Sequence, residues 1–109
     1  MAKDLNISRL CDTYGMLLTE HMRDMIRNYY DYDLSLAEIA ENSGVTRQAV
    51  LAGIRQAENK LKEYESVIGA VSRTDKLVNE LRAVYEQLKS SPEAASSRLT
   101  EIIDELSER

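Results

Sequence analysis

The chain holds one cysteine, one histidine and one proline, and neither tryptophan nor phenylalanine. A lone cysteine excludes an intramolecular disulfide. With a single histidine beside it, a Cys/His zinc site is excluded as well. Pro 1 and Gly 4 among 109 residues are too few for an all-β chain full of tight turns. No apolar run approaches the roughly 18 residues that span a bilayer. The first residues, Met1-Ala2-Lys3-Asp4-Leu5, lack the apolar stretch of a signal peptide, so a cytoplasmic protein is expected. Positive charge is also short. Lys+Arg 14 against Asp+Glu 19 gives a net charge of -5, which excludes a general basic coat for nucleic acid. What remains is 43% hydrophobic and 30% charged, the composition of a folded, water-soluble domain rich in helix.

Charge is spread unevenly. Residues 20–45 carry Arg23 and Arg27 against Glu20, Asp24, Asp31, Asp33, Glu38 and Glu41. Residues 46–64 carry Arg47, Arg55, Lys60 and Lys62 against only Glu58 and Glu63, the one positive stretch of the chain. Apolar residues follow helical spacing throughout. Ile7, Leu10, Cys11, Tyr14, Leu17 and Leu18 predict a first helix with Asn6 as its cap. Met22, Met25, Ile26, Tyr29 and Tyr30 predict a second, capped by Thr19, and Asp31-Tyr32-Asp33-Leu34 reads as a loop. Ser35 and Glu38 form a capping box for a short third helix with Leu36, Ile39 and Ala40 inside. Val50, Ile54, Ala57, Leu61, Tyr64 and Ile68 mark a long fourth helix with a heptad seam, ended by Gly69. Ser72-Arg73-Thr74 is expected to cap a fifth helix bearing Leu77, Leu81, Val84 and Leu88. Ser91-Pro92 starts a sixth with Ala95, Leu99, Ile102, Ile103 and Leu106. The fold class is therefore all-α, with six helices and no strand.

The segment from Leu34 to Tyr64 has the form of a helix-turn-helix. Gly44 sits where the chain must reverse with positive φ. Ala40 is small where the two helices cross, and Val45 and Val50 are expected to fill the wedge between them. Thr46 caps the second helix, so Arg47, Gln48, Leu51 and Arg55 lie away from Val50 and Ile54. Such an outward N-terminal face enters the DNA major groove in binding members of the motif. Arg47 suits guanine O6/N7 and Gln48 suits adenine N6/N7. The Ser35 and Thr46 hydroxyls suit phosphates, with Arg55, Lys60 and Lys62 on the flank. Against this stand Ala49, Leu51, Ala52 and Gly53, which leave the face poor in base-reading groups. A use of the motif that faces protein alone stays open.

Other residues point to no chemistry. Cys11 lies on an apolar helix face and reads as core. His21 reads as surface. Asp31 and Asp33 lack the further ligands of a calcium loop. Tyr29, Tyr30 and Tyr32 suit packing better than base stacking. Glu101, Asp104, Glu105 and Glu108 form the solvated face of the last helix. No nucleophile–base pair, phosphate loop or metal cluster is present, so neither enzyme activity nor a cofactor is expected.

The stretch from Leu17 to Ser66 resembles the YlxM-type helix-turn-helix proteins of Gram-positive bacteria. The marks are Leu17-Leu18-Thr19, Tyr29-Tyr30, Leu34-Ser35-Leu36-Ala37-Glu38-Ile39-Ala40, and Val45-Thr46-Arg47-Gln48-Ala49-Val50 with Ile54. The likeness covers about residues 5–68, and none is claimed for 70–109. More distantly the motif is similar to the promoter-reading helix-turn-helix of sigma factors, which has no β-wing and usually places an aliphatic residue where Gly53 stands. The resemblance implies a regulatory or accessory role in the signal recognition particle pathway, with DNA, the particle's RNA or its protein components as partners. On this reading residues 1–70 form the helix-turn-helix domain and 71–109 a helical hairpin. The core of the motif is expected to need only the first two turns of the long helix. The apolar faces left over then predict a homodimer through the C-terminal helices, the alternative being a monomer in which they close into an intramolecular three-helix layer. The competing function is a protein–protein adaptor that uses the same faces without nucleic acid.

Overall fold

A computed structural model describes Lys3–Glu108. Six α-helices follow one another: α1 Leu5–Tyr14, α2 Glu20–Ile26, α3 Leu36–Ser43, α4 Arg47–Ile68, α5 Ala70–Ser90 and α6 Pro92–Ser107. No strand occurs among the described residues, in agreement with an all-α class. The chain packs as two compact units that part between Val71 and Ser72.

The first unit grows from well-capped helices. Asp4, not Asn6, caps α1; its carboxylate accepts from the Asn6 backbone N–H at 2.9 Å, so Asn6 is already helical. α1 stops at Tyr14, and a 3-10 turn over Gly15–Leu17 follows. Leu17 consequently leaves the expected face and is exposed, while Leu18 is buried. Thr19 caps α2 by accepting from the Met22 N–H. The second predicted helix does not run through to Tyr30 as one α-helix. From Arg27 to Asp31 it widens into a π-helical turn, where the Tyr32 N–H donates to the Arg27 carbonyl. The extra residue per turn rotates Tyr29 and Tyr30 relative to the α2 face. Tyr30 then donates from its hydroxyl to Glu58 on α4, and Tyr29 lies under the Lys3 ammonium, 3.9 Å from the ring centre. Arg27 fixes the turn by bridging Asp12 and Asp31, each at 2.7 Å.

The Ser35–Glu38 capping box is formed reciprocally, both bonds at 3.1 Å. Gly44 takes φ 70°, the left-handed conformation that an L side chain resists. Val45 remains 43% exposed, so Val50 alone of the two fills the wedge between α3 and α4. The core of this unit gathers Ile7, Leu10, Cys11, Ile26, Ile39, Val50, Ile54, Ala57 and Leu61, all almost wholly buried. The seam of α4 is thus covered from within for more than three turns, further than the first two turns expected. Only at its end does it emerge, with Ile68 exposed. Burial pushes the Cys11 thiol pKa up, which keeps it protonated and unreactive.

Gly69 closes α4 with φ 68°. Tyr14 ties down this end. Its hydroxyl donates to Glu65 and accepts from the Ala70 N–H at 3.0 Å, and the Val71 N–H donates to Glu65 at 3.1 Å. These bonds hold the first turn of α5, so α5 starts at Ala70 and takes Ser72-Arg73-Thr74 into its body. The triplet is no cap. The second unit is an antiparallel hairpin of α5 and α6, with Val84, Ala95 and Ile102 buried and Leu77 beside them. Ser91 stands at the N-cap of α6 but makes no side-chain cap bond; Pro92 opens the helix as expected.

Candidate nucleic-acid interface

Two capped helix starts define the candidate site. Thr46 accepts from the Ala49 N–H at 3.1 Å, which sets α4 going directly after the Gly44 reversal. Ser35 does the same for α3. Each hydroxyl accepts in its cap and keeps its own hydrogen to donate outward. Ser35 and Thr46 are both exposed.

Arg47 and Gln48 are exposed in the first turn of α4, and Leu51 is half-buried one turn on. With Leu36 of α3 they line one hollow. Arg47 also borders a neighbouring groove with Lys3, Tyr29 and the first turn of α3. Arg47 therefore stands between the two depressions, where both helix starts meet. At 100° per residue, Gln48, Leu51, Arg55 and Lys62 fall within about 60° of one another on α4. Lys60 does not join them. It lies about 140° around the helix from Arg55, on the opposite flank. Gly53 is also off this face. A β-carbon there would come to 2.8 Å from Met25 Sδ, the flexible end of an α2 side chain that would have to shift.

Two contributors had no signal in the sequence reading. The helical spacing of Leu36 places it inside, yet it floors the hollow as well as touching the core. Lys3 reaches Asp33, thirty residues away, at 2.9 Å, a juxtaposition that spacing cannot reveal.

The electrostatics separate the cations into two sets. Arg27 is held by Asp12 and Asp31, and Lys3 by Asp33. Arg47, Arg55, Lys60 and Lys62 have no ion pair among the described residues. Part of the acidic charge of residues 20–45 is drawn into bonds: Asp31 accepts from Ser8 at 2.6 Å and from Arg27, and Glu38 folds onto Ser35. The Ser8 hydroxyl first, then Arg27, hold the Asp31 carboxyl below its usual range. Burial, then the bond to Glu58, push the Tyr30 phenol well above its usual value, so it stays a neutral donor. Among the described residues no group of three His, Cys, Asp or Glu is placed to hold a metal ion. No helix is long and apolar enough to cross a membrane.

Sequence comparison agrees with this architecture. A family model described as "Putative helix-turn-helix protein, YlxM / p13 like" matches residues 1–106. The match extends beyond residues 5–68, which carry the motif, into the C-terminal hairpin. The UPF0122 protein of Symbiobacterium thermophilum is 44% identical over 92 residues, covering 84% of this chain and 86% of its own. Those of Halalkalibacterium halodurans and Geobacillus kaustophilus are 36% and 35% identical, covering 95% and 99% of this chain and 94% and 97% of theirs. The chain belongs to the UPF0122 family of YlxM / p13-like helix-turn-helix proteins.

Proposed function

We propose that the chain is a regulatory helix-turn-helix protein that binds nucleic acid through the outward face of α4 and acts as a homodimer. The observation that carries this reading is the set of unpaired cations at the start and along one side of α4, in a protein of net charge -5. Arg47 reads guanine and Gln48 reads adenine, while Leu51 and Leu36 offer an apolar floor to a base edge. Ser35 and Thr46 donate to phosphates, and Arg55 and Lys62 extend the contact along the backbone. Lys60 serves only a nucleic acid that wraps to the other flank. An accessory role in the signal recognition particle pathway rests on the likeness to YlxM-type proteins, and makes the particle's RNA the second ligand to try beside duplex DNA.

The test is the affinity of the full chain for duplex DNA and for that RNA between about 50 and 200 mM salt. Neutralising three phosphates by Arg47, Arg55 and Lys62 gives a slope of log K on log salt of roughly -2 to -3. Affinity without a salt slope, or none for either ligand, defeats the reading. The half-buried Leu51 beside Leu36 then favours the adaptor, with an apolar side chain of a protein partner in the hollow.

A further inference from the structure

The second unit, Ser72–Arg109, falls short of the roughly 40 residues below which a chain needs a disulfide, a metal or a partner to hold a fold. The single cysteine, Cys11, lies outside it. Its buried core is confined to Val84, Ala95 and Ile102. Yet each helix carries a second apolar stripe. On α5, Val78, Leu81, Tyr85 and Leu88 advance in steps of three, four and three. On α6, Leu99, Ile103 and Leu106 advance in steps of four and three. These steps average about 3.4 residues, close to the 3.5-residue period of a seam that packs on other helices. All seven side chains are open to solvent, from 38% for Val78 and Leu99 to 61% for Tyr85.

Helix geometry places both stripes on one side. On α5 the second stripe lies about 70° around from the Leu77–Val84 line that meets α6. On α6 it lies about 60° around from the Ala95–Ile102 line, in the same rotational sense. The helices are antiparallel, as the Lys76–Glu105 and Arg98–Glu80 pairs show. Equal rotations on antiparallel helices point to the same face of the hairpin. The two ion pairs take the opposite edge, and the seven-residue face carries no carboxylate; the Lys89 ammonium borders it, 5.1 Å from the centre of the Tyr85 ring.

We infer that this face is the homodimer interface, where the α5–α6 hairpins of two copies close into a four-helix bundle. Charge and area both argue for a second copy as the occupant. A chain of net charge -5 meets its own copy with little like-charge repulsion through a patch free of carboxylates. Seven partly exposed apolar side chains leave roughly 500 Å² per copy, the apolar share of the roughly 800 Å² that a stable interface takes from each partner. The inference deepens the dimer part of the reading above and stands apart from nucleic-acid binding.

The test is the solution mass of the full chain at micromolar concentration, by sedimentation equilibrium. The expected mass is about twice 12.4 kDa. Leu81→Glu and Ile103→Glu, each placing two carboxylates in the interface, should weaken the dimer about 100-fold or more. Val67→Glu, at an exposed position on α4 outside the face, should leave it intact. A readout free of mutation is amide exchange in the unaltered chain: protection of α5 and α6 should rise with protein concentration. A monomer overturns the inference. So does a dimer indifferent to both substitutions in the face, or exchange in α5 and α6 indifferent to concentration. A dimer that forms as described yet binds no nucleic acid sustains it while defeating the reading of α4.

Discussion

Arg47 occupies the position on which the binding hypothesis turns. It is exposed, has no ion pair among the described residues, and borders both depressions at the helix starts. Arg47→Ala should cost about 1–3 kcal/mol of nucleic-acid affinity. Its thermal midpoint should hardly move, because a solvated side chain without a partner contributes little to stability. Titration and melting of the same variant check both halves. Affinity equal to the parent's would remove this face from the site. Gly44 tests the turn at the same scale. Nothing lies within 4 Å of where its β-carbon would stand, so crowding is no obstacle there, but φ 70° is. Gly44→Val should lose about 1–2 kcal/mol or more by denaturant unfolding. Glycine was legible at this position because a left-handed turn demands it. What a side chain at Gly53 would meet was not, because Met25 lies on another helix.

At the scale of elements, the caps carry the boundaries. The chain before Leu36 is extended at Ser35, and the reciprocal bonds with Glu38 satisfy two of the N–H groups that a helix start leaves open. Ser35→Ala should lose about 0.5–2 kcal/mol, read as a lower urea midpoint with an unchanged slope. The π-helical turn makes a different prediction, in pH. Asp31, bonded by Ser8 and Arg27, releases its proton more readily folded than unfolded. Its bonds therefore stabilise the fold fully above about pH 4, the ordinary carboxylate range, and that stability is lost as pH falls through the lower folded value. Asp31→Asn should flatten this acid limb of the stability–pH profile; an unchanged limb would show that the turn does not depend on the charge. Serine, threonine and glycine signals placed the starts and ends of α3 and α4 because capping is local chemistry. The π-helical turn is illegible in the sequence because i→i+5 bonds leave no periodic mark over five residues. The false cap at Ser72 arose because Tyr14, far away in sequence, holds the true start of α5.

For the whole molecule, the division at Val71 and Ser72 assigns separate sources of stability. The first unit has a core of its own, whereas the hairpin of α5 and α6 leaves much of its apolar surface open. If a second copy covers that surface, unfolding of the hairpin is coupled to dissociation, and its melting temperature should rise with protein concentration. Calorimetry over a hundredfold concentration range checks this. A transition in α5 and α6 independent of concentration would show that the hairpin stands without a partner. The core around Val50, Ile54 and Leu61 lies within one chain, and its contacts carry no such concentration term.

The sequence by itself determined the helical class, the caps at Thr19, Ser35 and Thr46, the reversals at Gly44 and Gly69, and the membership that the motif around Arg47 announced. All of these rest on interactions within a few residues, where spacing and side-chain chemistry are sufficient. Only the tertiary structure decided which apolar faces are consumed. The heptad seam of α4 looked free for a partner, and the first unit covers it as far as Leu61. In the hairpin, Leu81, Leu88, Leu99, Ile103 and Leu106 share the spacing of the buried Val84, Ala95 and Ile102, yet they are left open. Periodicity shows that a face is apolar, but helices distant in the chain decide, by where they pack, which face is buried.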